Sequence, residues 1–141
     1  MKRIVVNERP DWKAQAEACG FTIHSMYGQR YWDERHAYAF TFEEIETKLE
    51  EPSAKLLEMC YAAAERIACD DDLMRRMAIP PAYHDAILRS WRNREHDLYG
   101  RFDLSYDGSG PAKLLEFNAD TPTSLFESAV FQWQWLEDMK Q

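Results

Sequence analysis

Glycine is scarce in this sequence, with five residues in a chain of 141. The glycines are placed so that no GxGxxG or GxxxxGK[ST] loop forms, which argues against the dinucleotide-binding and P-loop folds. The GxSxG turn of serine hydrolases and the HExxH motif of zinc peptidases are also missing. The four histidines never lie three or four residues apart, so we expect surface or core imidazoles and not metal ligands.

Cysteine is also rare, long apolar runs are missing, and basic residues are fewer than acidic ones. The three cysteines, Cys19, Cys60 and Cys69, are odd in number and far apart, which predicts reduced thiols in a cytoplasmic protein. No apolar run approaches the roughly 20 residues that span a membrane, and residues 1–10 lack the apolar core of a secretory signal. Because 17 Lys and Arg stand against 25 Asp and Glu, we expect neither nucleic-acid nor membrane binding.

What the sequence does contain is the composition of a folded protein. Hydrophobic residues make up 45% and aromatic residues 13% of the chain. We expect residues 1–141 to form a single domain, since this length supports one hydrophobic core. The predicted elements indicate an α/β (α+β) fold, in which several helices pack on a small, mainly antiparallel sheet.

The first two thirds of the chain are predicted to be mainly helical. Thr41 followed by Glu44 is a capping box that opens one helix, which Pro52 is expected to interrupt and restart. Asp70 is expected to end that helix or to cap a short one. Residues 27–40 carry aromatic rings that either cover a core or form a ligand cage. The other predicted elements are strands at Ile4–Val6 and Phe21–Met26 and helices over Pro10–Cys19 and around Tyr83–Trp91.

Two alternating segments near the end of the chain are typical of a β-hairpin. Residues 99–106 and 113–118 each alternate apolar and polar side chains. The segment Asp107–Pro111 between them is a strong turn signal, because it combines aspartate, serine, proline and two glycines. The side chains expected on the apolar face are Phe102, Leu104, Tyr106, Leu115 and Phe117.

The opposite face of this hairpin brings chemically useful groups together. A turn of about four residues pairs Glu116 with either Arg101 or Asp103. Both registers place Arg101, Asp103, Glu116 and Asn118 on one face, because a slip of two residues preserves the side. Carboxylate and amide oxygens suit Mg²⁺, and a guanidinium suits phosphate oxygens. The alternative is a solvated face with an ordinary cross-strand ion pair.

The segment after the hairpin is expected to begin a helix. Thr121 can cap it with Pro122 at the first position, and Ser124 with Glu127 forms a second capping box. The free N–H groups of such a helix start could bind a carboxylate or a phosphate, or could simply be capped. The helix is apolar nearly all round, which predicts a partner subunit or a missing C-terminal domain. Its expected main face carries Leu125, Phe126, Ala129, Val130, Trp133 and Leu136.

Several segments resemble the glutathionylspermidine synthetase family of ATP-grasp ligases. The most specific is KLLEFNADTPTSL at Lys113–Leu125, and YGRFDLSYDGSG at Tyr99–Gly110 precedes it. QWQWLED at Gln132–Asp138 follows, while NERPDW at Asn7–Trp12 and MYGQRYW at Met26–Trp32 resemble the start of the short stand-alone homologues. The likeness runs essentially from end to end.

The resemblance implies an enzyme that joins a carboxylate to an amine through an acyl phosphate, using ATP and two Mg²⁺. Carried over by position, Arg101 contacts the ATP phosphates as a catalytic residue, with Asp103 also at the cofactor. Asp103, Glu116 and Asn118 are then the Mg²⁺ ligands. Thr121 or Ser124 faces the glutathione-like acyl substrate, and the amine is polyamine-like.

The same resemblance implies that the chain holds only the N-terminal portion of such a ligase. The family continues well past the QWQWLED segment, with the lysines and the flap that clamp the nucleotide. The expected content is therefore a pre-ATP-grasp region plus the metal-binding hairpin. Two alternatives remain open at this point: a non-catalytic binding or interaction module derived from the family, and a chain shortened by cloning or proteolysis.

Overall fold

The computed structural model describes residues 1–140 and has the mixed α/β fold that the sequence predicts. Its strands form three separate two-stranded antiparallel sheets, β1–β4, β2–β3 and β5–β6. None of the helices in this part of the chain is long and apolar enough to cross a membrane. The strands are β1 (Lys2–Val5), β2 (Ser25–Met26), β3 (Gln29–Arg30), β4 (His36–Ala39), β5 (Arg101–Ser105) and β6 (Lys113–Asn118).

Most helices occupy the stretch between β4 and β5. Two π-helical segments, Ile45–Glu50 and Glu127–Phe131, and a 3-10 turn, Pro81–Tyr83, join or precede regular helices. The regular helices are α1 (Trp12–Ala18), α2 (Phe42–Glu44), α3 (Glu51–Ala68), α4 (Asp71–Arg76), α5 (His84–Asn93) and α6 (Gln132–Met139).

The hydrophobic core joins α1 to the second π-helical segment. Ala16, Phe21 and Phe131 are its buried members. The rings of Phe21 and Phe131 meet edge to face at 5.2 Å, and Trp32 packs on Phe131 at 5.0 Å. The aromatic side chains of residues 27–40 were expected to cover a core or to form a ligand cage. Trp32 covers the core, whereas Tyr27 is 99% exposed.

The predicted helix over Pro10–Cys19 is confirmed, but most of the following strand prediction is wrong. The chain leaves α1 at Gly20, where a φ of 84° suits glycine because it lacks a Cβ. Phe21 then turns into the core, and only Ser25–Met26 of the predicted Phe21–Met26 strand is extended. Burial of the Phe21 ring therefore outweighs the weak alternation of this segment.

A capping box opens the long helical stretch, as predicted. Thr41 Oγ1 accepts a hydrogen bond from the Glu44 N–H at 3.1 Å, and Glu44 Oε2 accepts from the Thr41 N–H at 3.0 Å. The chain stays helical from Phe42 to Ala68, so Pro52 does not break it, but the expected restart of the regular helix at the proline is confirmed. Ile45–Glu50 is π-helical and α3 begins at Glu51, which places the proline in a first turn where no N–H is needed.

The short helix α4 has the cap that its sequence predicts. Asp70 Oδ1 accepts hydrogen bonds from the N–H groups of Asp72 and Leu73, at 2.9 and 3.0 Å. His84, at the start of α5, is buried and contacts Asp71 Oδ1 and the Ile79 carbonyl, each at 3.0 Å. It acts as the core imidazole that the histidine spacing predicts.

The last helical stretch presents a different face from the one predicted. Phe131 is fully buried, while Leu125 and Trp133 are more than half exposed. The reason is the π-helical segment Glu127–Phe131, which widens the turn so that Phe126 and Phe131, five residues apart, both meet Phe21. The regular 3.6-residue period therefore fails to predict the buried side.

Candidate functional site

The hairpin of β5 and β6 forms with one of the two predicted registers. Arg101 pairs with Asn118 and Asp103 with Glu116, so the four polar residues share one face as predicted. The register shifts after Asp103, where Leu104 pairs with Leu114. Leu115 is the extra residue of this bulge and is 70% exposed, so its predicted place on the apolar face is wrong.

The apolar side of the hairpin fixes the strand that carries the polar residues. Phe102 and Phe117 pair across the strands with ring centroids 4.4 Å apart. Gly100 lies under the second ring, since a Cβ added there would be 2.4 Å from Phe117 Cε2. A side chain at this position would therefore displace Phe117, the residue between Glu116 and Asn118.

Arg101 is the most connected group on the polar face. Its Nε and Nη2 donate to Oδ1 and Oδ2 of Asp103, at 2.7 and 3.2 Å. Its Nη1 donates to the carbonyl and the hydroxyl oxygens of Thr123, at 3.1 and 2.9 Å. The guanidinium thus joins the hairpin to the segment that follows it. Sequence analysis does not single out Thr123, because a contact between residues 22 apart in the chain leaves no local pattern.

The ion pair shifts the pKa values of both groups. Hydrogen bonds from Arg101 hold the pKa of Asp103 below its usual range. The pKa of Arg101 is raised first by its hydrogen bond to Asp103, with smaller contributions from the charges of Asp103 and Glu116. Both side chains are about one third exposed, so water screens the pair. Asp103 is ionised at neutral pH, and each of its carboxylate oxygens accepts a hydrogen bond from Arg101.

Asn118 links the end of β6 to the next turn. Its Oδ1 accepts a hydrogen bond from the Thr121 N–H at 3.2 Å. Tyr99 adds a second tie, since its hydroxyl donates to the Pro122 carbonyl at 2.8 Å. The segment 119–124 is therefore held against the polar face of the hairpin by Tyr99, Arg101 and Asn118.

The predicted helix caps in this segment are wrong. Helical structure begins at Leu125, so Thr121 and Pro122 lie in an irregular stretch before it. Ser124 has a φ of 73°, unusual for a residue with a Cβ. The predicted partner of Ser124, Glu127, instead accepts a hydrogen bond from the Tyr31 hydroxyl at 2.8 Å. The Asn118 contact takes the Thr121 N–H, which removes one of the anion-binding groups expected there.

The side-chain oxygens on the polar face of the hairpin are ligands that suit a hard cation. Asp103 and Glu116 face each other across the strands, a pairing that places Cβ atoms about 4.5–5.5 Å apart. Mg²⁺ usually takes one or two carboxylates from a protein, with water and phosphate completing its shell. Within residues 1–140, no group of three His, Cys, Asp or Glu side chains is arranged to hold a metal ion. The set of Asp103, Glu116 and Asn118 has two such groups and one amide, and it fits Mg²⁺ only with outside ligands.

Comparison with known proteins shows that the chain is similar to ligases and synthetases. The chain is 41% identical to a Haemophilus influenzae protein provisionally named as an acid–amine ligase, across 99% of this chain and 36% of that protein. It is 31% identical to the bifunctional glutathionylspermidine synthetase/amidase of Escherichia coli, across 74% of this chain and 17% of that protein. The chain therefore spans about a third or less of the length of these relatives.

The family follows from the same comparison. The trypanothione synthetase of Crithidia fasciculata is 30% identical over 78 residues, 55% of this chain and 12% of that protein. Residues 3–141 match the family described as glutathionylspermidine synthase preATP-grasp, and the chain belongs to this family. The resemblance on which the sequence prediction rests is thereby confirmed.

Proposed function

We propose that this chain forms part of an ATP-dependent carboxylate–amine ligase that acts through an acyl phosphate. The supporting observation is the single polar face of the hairpin, where Arg101, Asp103, Glu116 and Asn118 lie in register. Family membership supports the reaction class, since one relative is named as an acid–amine ligase and the others as synthetases of glutathionylspermidine and trypanothione. Residues 1–141 then correspond to one domain, a pre-ATP-grasp region with its metal-binding hairpin.

Each residue on this face has a definite part in the proposal. Asp103, Glu116 and Asn118 would hold Mg²⁺, which neutralises phosphate charge when it is bound with ATP. Arg101 would direct its planar guanidinium at a phosphate oxygen and stabilise the charge that develops during transfer. Without ligand, Asp103 and Thr123 hold the Arg101 guanidinium in place, and Mg²⁺ bound at Asp103 would free Nε and Nη2 for a phosphate oxygen.

The segment after the hairpin would meet the acyl substrate. Thr121 and Ser124 lie in the irregular stretch that Arg101 and Asn118 hold in place. We propose that they contact a glutathione-like carboxylate donor, whose partner is a polyamine-like amine. The chain matches only part of each relative's length, so the rest of the ATP site would come from elsewhere in the complete enzyme, together with a second Mg²⁺.

We also propose that the protein works in the cytoplasm. The three cysteines are free thiols in the structure, with Cys69 exposed and the other two half-buried. A reducing compartment keeps such thiols stable, and ATP is available there.

The test uses a full-length ligase that contains this region. Glu116→Gln and Asn118→Ala should each abolish Mg²⁺-dependent ATP turnover while circular dichroism shows an unchanged fold. Glu58→Gln is the matched control, since Glu58 is exposed on α3, far from the hairpin in sequence, and should keep full turnover. Turnover retained in either hairpin variant would remove the metal assignment.

A non-catalytic interaction module is the second candidate. The observation that favours it is the exposed apolar side of α6, where Trp133 is 58% exposed beside Leu136 and Met139. Calorimetry of the 141-residue chain with ATP and Mg²⁺ separates the two. Stoichiometric binding supports the ligase site, whereas no heat together with a dimer in sedimentation supports the module.

A further inference from the structure

Thr123 presents both of its oxygen atoms to one end of the Arg101 guanidinium. Nη1 of Arg101 donates to the Thr123 carbonyl at 3.1 Å and to Thr123 Oγ1 at 2.9 Å. The two acceptors belong to one residue of the irregular stretch that follows β6. The outer end of the guanidinium is therefore held by this single residue.

The backbone is fixed on both sides of Thr123. Before it, the Pro122 carbonyl accepts a hydrogen bond from the Tyr99 hydroxyl at 2.8 Å. After it, the Ser124 carbonyl accepts from the Ser128 N–H at 3.1 Å and from Ser128 Oγ at 2.8 Å. Because both neighbours are tied to other parts of the chain, Thr123 has little freedom to move away from the guanidinium.

The peptide plane between Thr123 and Ser124 has an unusual orientation. The φ of Ser124 is 73°, a left-handed value that residues with a Cβ rarely adopt. The φ of a residue orients the peptide plane before it, so this value helps to direct the Thr123 carbonyl towards Nη1 of Arg101. Backbone strain of this kind is concentrated at functional sites, where the surrounding structure enforces it.

The guanidinium of Arg101 divides its donors between two partners. Nε and Nη2, which form one edge, donate to Asp103 at 2.7 and 3.2 Å, whereas Nη1 donates to Thr123. If Asp103 binds Mg²⁺, the first edge loses its partner and can accept a phosphate oxygen as its new one. During this exchange, the contacts with Thr123 are what keeps the guanidinium in position.

We propose that Thr123 is a positioning residue, which holds Nη1 of Arg101 so that the opposite edge stays directed at the phosphate when Asp103 binds the metal ion. The inference rests on the proposed function, because phosphate is the ligand that Arg101 would bind there. A guanidinium already in position stabilises the transferring phosphoryl group without first reorienting. The contact should therefore raise kcat more than it lowers KM.

The first test follows the Arg101 side chain in the 141-residue chain without any ligand. Asp103→Ala removes the partner of Nε and Nη2, as metal binding would, and leaves the contact between Nη1 and Thr123. Rotation about the Nε–Cζ bond, measured by ¹⁵N exchange spectroscopy of labelled arginine, should stay slow in this variant. Adding Thr123→Val should speed the rotation about fivefold or more, the change expected for one lost hydrogen bond.

A matched control removes a threonine hydroxyl from another part of the chain. Thr47 Oγ1 donates to the Glu43 carbonyl at 2.7 Å, so Thr47→Val also deletes a hydrogen bond between a hydroxyl and the backbone. Combined with Asp103→Ala, it should leave the rotation of Arg101 unchanged. Rotation as fast in Asp103→Ala alone as in Asp103→Ala with Thr123→Val would overturn the proposal, since Thr123 would then not hold the guanidinium.

The second test measures ATP turnover in a full-length ligase that contains this region. Thr123→Val should lower kcat about fivefold or more with little change in the KM for ATP, and Thr123→Ser, which keeps the hydroxyl, should restore kcat. Thr47→Val should match the wild type. A higher KM for glutathione with an unchanged kcat would indicate direct contact of Thr123 with the acyl substrate and would refute the positioning role.

Failure of this inference can be told apart from failure of the proposed function. If Arg101→Gln keeps full ATP turnover, Arg101 does not bind the phosphate and the proposed function loses its phosphate site. If Arg101→Gln loses turnover while Thr123→Val keeps it, Arg101 acts without help from Thr123, and the positioning role alone is wrong.

Discussion

Arg101 and Asp103, two residues apart on β5, form a two-pronged ion pair with Nε 2.7 Å from Oδ1. One is the proposed phosphate-binding residue and the other a proposed Mg²⁺ ligand, so without ligand the two sites satisfy each other. Glu116 faces Asp103 from the opposite strand and adds a second negative charge near the guanidinium. Binding would replace Arg101 by Mg²⁺ as the partner of Asp103, and Asp103 by phosphate as the partner of Arg101. Because both side chains are about one third exposed, this exchange would not remove a buried charge from water.

Arg101→Gln should loosen the segment that follows the hairpin. Without the guanidinium, the Thr123 carbonyl and hydroxyl lose the donor that joins them to β5. Amide hydrogen exchange over residues 119–124 should become several-fold faster, while α3 is unaffected. Arg35→Gln is the matched control, because it removes a similar two-pronged pair, with Asp33, in another part of the chain. Unchanged exchange in Arg101→Gln would show that Tyr99 and Asn118 hold the segment alone.

Gly100→Ala should destabilise the hairpin by about 1–3 kcal/mol, the usual cost of overpacking. The added Cβ would lie 2.4 Å from Phe117 Cε2 and 2.9 Å from its Cζ, so the ring must leave its place against Phe102. Urea denaturation of the whole chain measures the loss. Gly110→Ala is the control, since a Cβ there meets nothing within 4 Å, and Gly100→Ala combined with Phe117→Leu should recover part of the stability.

The hairpin was predictable because its information is local. Alternation fixes which side chains share a face, and either register keeps Arg101 with Asp103, Glu116 and Asn118. The bulge at Leu115 was not predictable, since one extra residue in a strand depends on how the turn and the pairs beyond it fit. The polar face therefore agrees with the prediction, although the apolar face loses one member.

The helical parts show where periodicity fails. Thr41 and Asp70 cap their helices as predicted, because a cap requires only side chains two or three residues apart. The buried position of Phe131 depends instead on a π-helical turn, and the exit of Phe21 from α1 depends on a ring that packs on it from 110 residues away. Such contacts between distant residues are not encoded in local pattern.

Asp107→Asn should remove part of the loss of hairpin stability that the wild type shows at low pH. Asp107 Oδ1 accepts hydrogen bonds from the N–H groups of Ser109 and Gly110, at 2.8 and 3.1 Å, which lower its pKa to about 2 from 3.8. A carboxyl whose pKa is lower in the folded state stabilises above its unfolded pKa and loses that effect as pH falls through its folded pKa. Wild type should therefore lose turn stability from about pH 3.8 to about pH 2, whereas the asparagine variant, which still accepts, should not.

Nuclear magnetic resonance measures this difference through the Ser109 and Gly110 amide signals. Their shifts should titrate with the Asp107 carboxyl in the wild type and stay constant in Asp107→Asn. Asp72→Asn is a control, because its carboxyl pairs with Arg75 on α4 and should leave the turn signals unchanged. A wild-type midpoint near the ordinary aspartate value would contradict the hydrogen-bonded turn.

Arg9→Met should cost about 3–5 kcal/mol, the loss typical of removing one partner of a buried ion pair. Arg9 is 6% exposed and Glu34 fully buried, so the variant leaves an uncompensated carboxylate inside the protein. Arg9 also reaches Gln15 at 2.6 Å and Asp138 at 2.7 Å, which joins the N-terminal segment to α1 and α6. Urea denaturation of the chain at neutral pH measures the change.

The double variant separates the charge from the packing. Glu34→Gln combined with Arg9→Met removes the buried charge while keeping the size of the side chain, so it should be more stable than Arg9→Met alone. Arg35→Met removes an exposed pair and should change stability by less than about 1 kcal/mol. If Arg9→Met and Arg35→Met cost the same, the Arg9–Glu34 pair would have to be accessible to water, and the buried contact between the N-terminal segment and α6 would not form in solution.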